Sequence, residues 1–228
     1  MNAYIFIPAY LLCYFFQILF LIKEKKQQLV QTLYLKGAAS LVFVLLAALS
    51  FVFGSQSFFS TYIFVGMFFD ALADVVFNLR FAFKKIEKLS FLGGTFLFFM
   101  GHVFYLVAMI PQVEHLWLYF AAGLVIALLS QLYIWLVLKD VFLAYKIYGT
   151  VYIFSVSSMT AMAIGNFVVN YAGTWALLFA IGAVFFLISD LLLILNTFRK
   201  EKIYPMRVIS FVTYYTGQLL IATSLFLM

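Results

Sequence analysis

Charged residues, histidine, proline and cysteine are all scarce in this chain of 228 residues. Only 10% of the residues are charged, whereas a soluble domain averages about 25%. With 67% hydrophobic residues and a mean hydropathy of +1.14, the chain has too little polar surface for a water-soluble fold. The one cysteine, Cys13, excludes an intrachain disulfide and is interpreted as a small buried hydrophobic residue.

Several motifs that identify catalytic classes are also absent from the sequence. HExxH, a histidine cluster and a cysteine ligand set are missing, so a zinc site would have to use aspartate and histidine alone, and no metal or cofactor is expected. The lack of a glycine-rich phosphate loop and of G-x-S-x-G argues against nucleotide and serine-hydrolase chemistry. No lysine is expected inside a membrane-spanning segment, which excludes a retinal Schiff base.

Long apolar segments account for most of the chain. A transmembrane helix needs about 20 mostly apolar residues. Eight segments approach or exceed this length: 3–22, 37–53, 57–79, 89–110, 116–138, 148–169, 174–197 and 206–227. The connections between them are short, which favours antiparallel packing of consecutive helices. The sequence therefore predicts an all-α membrane protein, an eight-transmembrane-helix bundle that forms a single domain over residues 1–228.

The basic residues lie between these apolar segments and account for the net charge of +6. They occupy alternate connections, after the first, third, fifth and seventh segments: Lys23, Lys25, Lys26, Lys36, Arg80, Lys84, Lys85, Lys88, Lys139, Lys146, Arg199, Lys200, Lys202 and Arg207. The positive-inside rule assigns these connections to the cytoplasm, so both termini are predicted to be non-cytoplasmic. The positive net charge is therefore explained by membrane topology, and no nucleic-acid partner is expected. The expected host is a bacterial inner membrane or an endoplasmic reticulum.

The segment from Gly66 to Asp74 has the same pattern as the segment from Gly182 to Asp190, 116 positions later. In each, glycine is followed by Phe at +3, by Leu or Ile at +6 and by Asp at +8. The same shift aligns further polar positions: Gly101-His102 with Gly217-Gln218, Lys23-Glu24 with Lys139-Asp140, and Lys84 with Lys200. Since this interval contains four helices, it predicts a four-plus-four parallel internal repeat with halves at about 1–112 and 113–228.

Three aspartates, Asp70, Asp74 and Asp190, lie within the predicted spans, and so does His102. An ionisable residue at this depth is costly and is by default a functional-site candidate. At a rise of about 1.5 Å per residue, the aspartates lie roughly 9–15 Å from the basic ends of their helices. They can therefore lie in one layer, at a similar depth between the middle of the membrane and its cytoplasmic side. For His102, hydrogen bonding or proton handling is favoured over metal ligation. Other polar side chains available near this layer are Tyr105, Gln218, Asn196, Asn78, Asn166 and Ser189.

Carboxyl groups that share an apolar pocket cannot all be ionised, so at least one is expected to stay protonated near neutral pH. Such a pair supplies a general acid and a general base together, which hydrolysis of an ether-like bond requires. The alternative is that these groups only hydrogen-bond across helices and stabilise the bundle. The recurrence of Asp74 as Asp190 favours the catalytic interpretation.

Five motifs together resemble the YhhN family of polytopic membrane proteins, whose animal members are lysoplasmalogenases. They are Gly66-x-x-Phe69-x-x-Leu72-x-Asp74, Phe91-x-x-Gly94-x-x-x-x-x-x-Gly101-His102-x-x-Tyr105, Tyr152-x-x-x-x-x-x-Met159, Gly182-Ala-x-x-Phe186-x-x-Ser189-Asp190 and Tyr214-Tyr-x-x-Gln218-x-Leu220. The resemblance covers nearly the whole chain. One departure is Asp70 with Ala73, where the family pattern is expected to have Ser and Gly.

The resemblance implies cleavage of the vinyl-ether bond of a lysoplasmalogen to a fatty aldehyde and glycerophosphoethanolamine or glycerophosphocholine. Asp74 and Asp190 are the expected catalytic pair, with acid and base unassigned. Supporting or substrate-binding roles are expected for Asp70, His102, Tyr105, Gln218, Asn196, Ser189, Arg80 and Arg199. The two arginines are the nearest candidates for the lipid phosphate. The expected partners are the lysophospholipid substrate and membrane lipids, with no metal or cofactor.

Two other classes of function remain open from the sequence. Intramembrane acids in a parallel-repeat bundle are also typical of a proton-coupled membrane transporter. A transport site of this kind is expected to have helices broken by glycine or proline within the span. The sequence argues against this, because its prolines lie at predicted helix ends: Pro8, Pro111 and Pro205. A structural or partner-binding membrane protein is the third class, and no sequence feature favours it.

Overall fold

The computed structural model describes residues 4, 6–137, 143–170 and 173–228. Within these residues the chain forms eight long α-helices: α1 Phe6–Lys25, α2 Leu29–Phe53, α3 Phe58–Ala82, α4 Glu87–Met109, α5 Leu116–Val137, α6 Leu143–Asn170, α7 Thr174–Phe198 and α8 Tyr204–Leu227. Two short 3₁₀ turns, Lys84–Ile86 and Ile110–Gln112, lie before and after α4. The prediction of an all-α protein with eight spans is confirmed.

Each of these eight helices is long and apolar enough to cross a membrane, which makes the protein an integral, multi-pass membrane protein. The prolines lie at helix ends, as predicted: Pro8 and Pro205 are in the first turns of α1 and α8, and Pro111 is in the 3₁₀ turn after α4. Cys13 is fully buried in α1, which confirms its interpretation as a core residue. The orientation of the termini stays a prediction.

Helix α2 begins at Leu29, well before the predicted start at residue 37, and therefore contains Lys36. The Lys36 side chain is buried, so the prediction that no span contains a lysine is wrong, and the exclusion of a retinal Schiff base loses its basis. Lysine has good helix propensity, and its charge is compensated by a carboxylate on α3, so it need not end the apolar helix. Arg80 is likewise buried within α3, whereas the sequence analysis placed it in the connection after the third segment.

The helices form two compact units, one of residues 1–108 with 221–228, the other of residues 109–220. In the first unit α1 packs on α2, and α2 packs on α3. In the second unit α5 packs on α6, and α6 packs on α7. The predicted halves at about 1–112 and 113–228 stay a prediction. Lys139 and Asp140, which the sequence aligned with Lys23 and Glu24, lie outside the described residues.

Helix α3, which contains Asp70 and Asp74, has a well-defined start. The Ser57 backbone N–H donates to the Ser60 hydroxyl at 2.8 Å, and the Ser60 N–H donates to the Ser57 hydroxyl at 3.1 Å. This reciprocal pair is a capping box, which satisfies amide groups that have no partner within the helix. Within this helix Asp70 and Asp74 face the same side, because they are four residues apart, about one helical turn.

Candidate functional site

Asp74 is fully buried in α3 and is held by two side chains of α2. The Lys36 ammonium lies 2.9 Å from Oδ1 of Asp74. The Ser40 hydroxyl donates to Oδ2 of the same carboxylate at 2.6 Å. Because Lys36 and Ser40 are four residues apart, they project from one face of α2. Both oxygens of Asp74 are therefore engaged by donors from the neighbouring helix.

Asp70 lies one helical turn before Asp74 and is also fully buried. The Tyr105 hydroxyl of α4 donates to its Oδ2 at 2.6 Å. Its other oxygen packs so closely on Gly101 that a Cβ at that position would overlap Oδ1. His102 follows Gly101 and is fully buried, with its ring centroid 5.7 Å from that of Tyr105. The contacts bring Asp70 and Tyr105 together, with His102 beside them.

Asp190 is buried in α7, in the second unit. The Tyr152 hydroxyl, from the preceding helix α6, donates to Oδ2 of Asp190 at 2.7 Å. The neighbouring Ser189 hydroxyl donates to the Ser210 backbone carbonyl at 2.8 Å, and the Ser210 hydroxyl donates to the Ser189 carbonyl at 2.9 Å. Ser189 therefore joins α7 to α8, directly beside the carboxyl group.

The remaining candidates have different environments. Gln218 is fully buried in α8. The Asn196 side-chain oxygen accepts the Ile203 backbone N–H at 2.8 Å, which closes the connection between α7 and α8. The Arg80 guanidinium lies over three aromatic rings, those of Phe77, Phe81 and Phe91, at 3.9, 4.5 and 5.2 Å. Arg199, just after α7, is exposed and is the more accessible of the two predicted phosphate contacts.

Lys36, Ser40 and Tyr152 hold the two principal carboxyls, and the sequence interpretation did not include them in the site. Lys36 was assigned to a basic connection by its charge. Ser40 is an unremarkable residue type in an apolar helix, and Tyr152 was noted only as the first residue of a family motif, without a role in the site. The repeat spacing could have indicated these two residues, since Lys36 and Tyr152 are separated by the same 116 positions as Asp74 and Asp190. This equivalence was not recognised because lysine and tyrosine are different residue types.

Asn78 lies one turn after Asp74 on α3 and is buried. Neither its side-chain oxygen nor its nitrogen has a hydrogen-bond partner among the described residues. An unsatisfied buried amide costs about 1–3 kcal/mol, so it is expected to bind a polar group from outside the protein, such as water or a substrate oxygen. Within the described part of the chain, no group of three His, Cys, Asp or Glu residues has the geometry to hold a metal ion.

Comparison with known proteins identifies one family whose model matches this chain. The model of the YhhN family matches residues 31–225, which include α3, α4 and α7 with all three buried aspartates. No curated protein and no solved structure matches the chain significantly. Because the family model covers most of the sequence, the chain belongs to the YhhN family.

Proposed function

We propose that this protein is a hydrolase that cleaves the vinyl-ether bond of lysoplasmalogens, using Asp74 and Asp190. Membership of the YhhN family, which is known for hydrolase activity, supports the class of reaction. The observation that carries the proposal is the environment of the two carboxyls: each is buried in an apolar helix and held by a donor from the preceding helix. Such costly groups are expected where they do chemistry.

The proposed reaction begins with proton transfer from a carboxylic acid to the β-carbon of the vinyl ether. The π electrons of the C=C bond form the new C–H bond, which leaves an oxocarbenium ion. The second group, a carboxylate, stabilises this cation and accepts a proton as water bonds to the cationic carbon. The resulting hemiacetal breaks its C–O bond to give the fatty aldehyde and the free glycerol hydroxyl. As this C–O bond breaks, the protonated base gives its proton to the glycerol oxygen, and the deprotonated acid accepts the proton of the hemiacetal hydroxyl. Both carboxyls thereby return to their starting states, and the reaction consumes one water and no cofactor.

The other buried polar side chains fit positioning roles in this reaction. His102, Tyr105 and Gln218 are fully buried, and we assign to them the orientation of water or of the glycerol oxygens. Asn78 offers both a donor and an acceptor with no partner among the described residues. Asp70, already bonded to Tyr105, helps to hold α4 against α3. The exposed Arg199 is proposed to contact the lipid phosphate.

The proposal is tested by adding a 1-alkenyl lysophosphatidylethanolamine to the purified protein and measuring release of fatty aldehyde. Two lipids with the same head group serve as controls, a 1-alkyl ether and a 1-acyl ester. Only the alkenyl lipid has a C=C bond to protonate, so only it is expected to yield aldehyde. An absence of aldehyde from folded protein in detergent or in lipid vesicles contradicts the proposal.

We also propose that both termini lie outside the cytoplasm and that the chain is a parallel repeat. The alternation of basic connections supports the first point. For the second, a Cβ on Gly101 would lie 3.1 Å from the Gly66 carbonyl oxygen, and one on Gly217 would lie 2.8 Å from that of Gly182. These pairs are 116 positions apart, so equivalent glycines allow the same close helix contact in each unit.

The orientation predicts that alkaline phosphatase fused after Met228 is active when the protein is produced in a bacterium. This enzyme needs disulfides that form outside the cytoplasm and not within it. A fluorescent protein that matures only in the cytoplasm, fused at the same position, is the reciprocal control and is expected to remain dark. The opposite pair of results would reverse the orientation.

A further inference from the structure

Asn78 of α3 carries an amide group that the rest of the described chain does not satisfy. The side chain is 1% exposed, and neither its oxygen nor its nitrogen has a hydrogen-bond partner among the described residues. Buried polar groups in proteins are nearly always paired, so an exception calls for a partner from outside the chain. An amide nitrogen donates and an amide oxygen accepts, which together match a hydroxyl group, since a hydroxyl does both.

Asn78 lies on the side of α3 that faces α2. On this side Asp74 contacts Lys36 of α2. A Cβ on Gly37 of α2 would lie 3.5 Å from Cγ2 of Val75. Since a helix has about 3.6 residues per turn, Asn78 projects between the directions of Asp74 and Val75. Side chains four residues apart have Cβ atoms about 5–6 Å from each other, so the amide lies one turn beyond the carboxyl group.

The order of groups along α3 matches the order of groups in a lysoplasmalogen. After Asn78 the chain reaches the exposed Lys84 and Lys85, in the 3₁₀ turn that follows α3. Basic side chains at a membrane surface attract lipid phosphate, so the head group is expected at this end. Only the ether oxygen and the sn-1 carbon separate the reacting carbon from the carbon that bears the sn-2 hydroxyl. With the reacting carbon at Asp74, this hydroxyl reaches the next turn of α3, toward the head group.

We infer that Asn78 binds the free sn-2 hydroxyl of the lysoplasmalogen and thereby favours substrates without an acyl chain at that position. The amide nitrogen donates to the hydroxyl oxygen, and the amide oxygen accepts the hydroxyl hydrogen. A site that binds a hydroxyl discriminates against the analogue that lacks it, because the buried groups of the site are then left unpaired. This inference rests on the proposed hydrolase function and names the part of the substrate that α3 recognises.

The test compares a 1-alkenyl lysophosphatidylethanolamine with its 2-deoxy analogue, which lacks only the sn-2 hydroxyl. With the wild type, loss of the hydroxyl is expected to lower kcat/KM for aldehyde release at least about tenfold. Asn78→Leu removes the donor and the acceptor. It is expected to lower kcat/KM for the hydroxyl lipid by a similar factor and to cleave the two lipids within about threefold of each other.

The alternative is that Asn78 binds only water. In that case Asn78→Leu slows both substrates equally and keeps the preference of the wild type for the hydroxyl lipid, which overturns the inference. Gln131→Leu is the matched control, because Gln131 is buried in α5, a helix without acidic residues, and its side-chain oxygen also lacks a partner in the described part of the chain. This variant is expected to retain the preference.

Thermal unfolding in detergent establishes that each variant is folded. Replacing an unpaired buried amide by an apolar side chain removes a group that opposes folding, so Asn78→Leu is expected to unfold at a Tm no lower than that of the wild type. Asn78→Ala makes the same comparison of substrates if the larger leucine does not fold.

Binding of lipids that cannot be hydrolysed separates this inference from the hydrolase proposal. A 1-alkyl lysophosphatidylethanolamine and its 2-deoxy analogue have no C=C bond to protonate. From lipid-dependent shifts in Tm, the wild type is expected to bind the hydroxyl lipid at least about tenfold more tightly, and Asn78→Leu to bind both equally. If no aldehyde is released while this preference is found, the hydrolase proposal fails and recognition of the hydroxyl by Asn78 stands. If the wild type cleaves both alkenyl lipids equally well, the hydrolase proposal stands and the role of Asn78 is refuted.

Discussion

Replacing Asp190 with asparagine is expected to lower the rate of aldehyde release on the order of 10²–10⁴-fold while the protein stays folded. The asparagine side-chain oxygen can still accept the hydrogen bond that Tyr152 donates to Asp190 at 2.7 Å. The amide cannot transfer a proton to the vinyl carbon or accept one from water. The variant therefore removes the proposed chemistry and retains the contact between α6 and α7.

Asp74→Asn is expected to cause a loss of similar size, but it also leaves the Lys36 ammonium buried without its carboxylate. Breaking one side of a buried ion pair costs about 3–5 kcal/mol, whereas replacing both sides by groups of similar volume is often neutral. The double variant Lys36→Met with Asp74→Asn removes both charges and separates catalysis from folding. It is expected to be inactive and more stable than Asp74→Asn alone.

These rates are measured as aldehyde release from the alkenyl lipid, with thermal unfolding followed in the same detergent. Glu87→Gln is the matched control, because it neutralises a carboxylate that is exposed at the start of α4. It is expected to keep wild-type activity. Full activity in a folded Asp190→Asn protein would exclude Asp190 as a catalytic acid or base.

Gly94→Ala is expected to destabilise the protein by about 1–3 kcal/mol, because α3 and α4 touch at this residue. A Cβ on Gly94 would lie 2.6, 2.7 and 2.8 Å from Cβ, Cα and the backbone nitrogen of Phe77. Two of these atoms are backbone atoms, so the overlap can be relieved only by moving the helices apart. That movement would also disturb the Tyr105–Asp70 contact, which joins the same two helices.

Gly93→Ala, one residue away on α4, is the control for this prediction. A Cβ at Gly93 would meet only Val76 Cγ1, at 3.6 Å, which is an ordinary van der Waals distance. Both substitutions gain about 1 kcal/mol of helix propensity, so the difference between them measures the steric term. In thermal unfolding, Gly94→Ala is expected to have the lower Tm of the two. Equal Tm values would show that α3 and α4 are not in close contact at Gly94.

The main features of the architecture were predictable from the sequence because they depend on composition over long segments. A membrane-spanning helix satisfies its own backbone hydrogen bonds, so about 20 apolar residues suffice to identify it without knowledge of its neighbours. The same reasoning made the buried aspartates conspicuous, since a carboxyl within such a segment is rare. Both kinds of feature are local. Among the residues that the structure describes, eight long helices are present, and Asp70, Asp74 and Asp190 are buried within them as expected.

The partners of those aspartates were not predictable in the same way. Lys36 was placed outside the membrane because a charged residue near the end of an apolar run is normally solvated. Only the packing of α2 on α3 puts its ammonium 2.9 Å from Asp74, where the pairing compensates its burial. The same holds for Asn196 and Arg80, whose contacts with the Ile203 backbone and with aromatic rings depend on residues brought close by the fold.

The sequence by itself therefore determined that this is a multi-pass helical membrane protein of the YhhN family with buried carboxyl groups in its helices. The tertiary structure decided which side chains surround each carboxyl, with Lys36 and Ser40 at Asp74 and Tyr152 at Asp190. The physical reason is that apolarity is a property of each segment alone. The partners of a buried carboxyl depend on which side chains lie within a few ångströms, and side-chain packing across helices determines those distances.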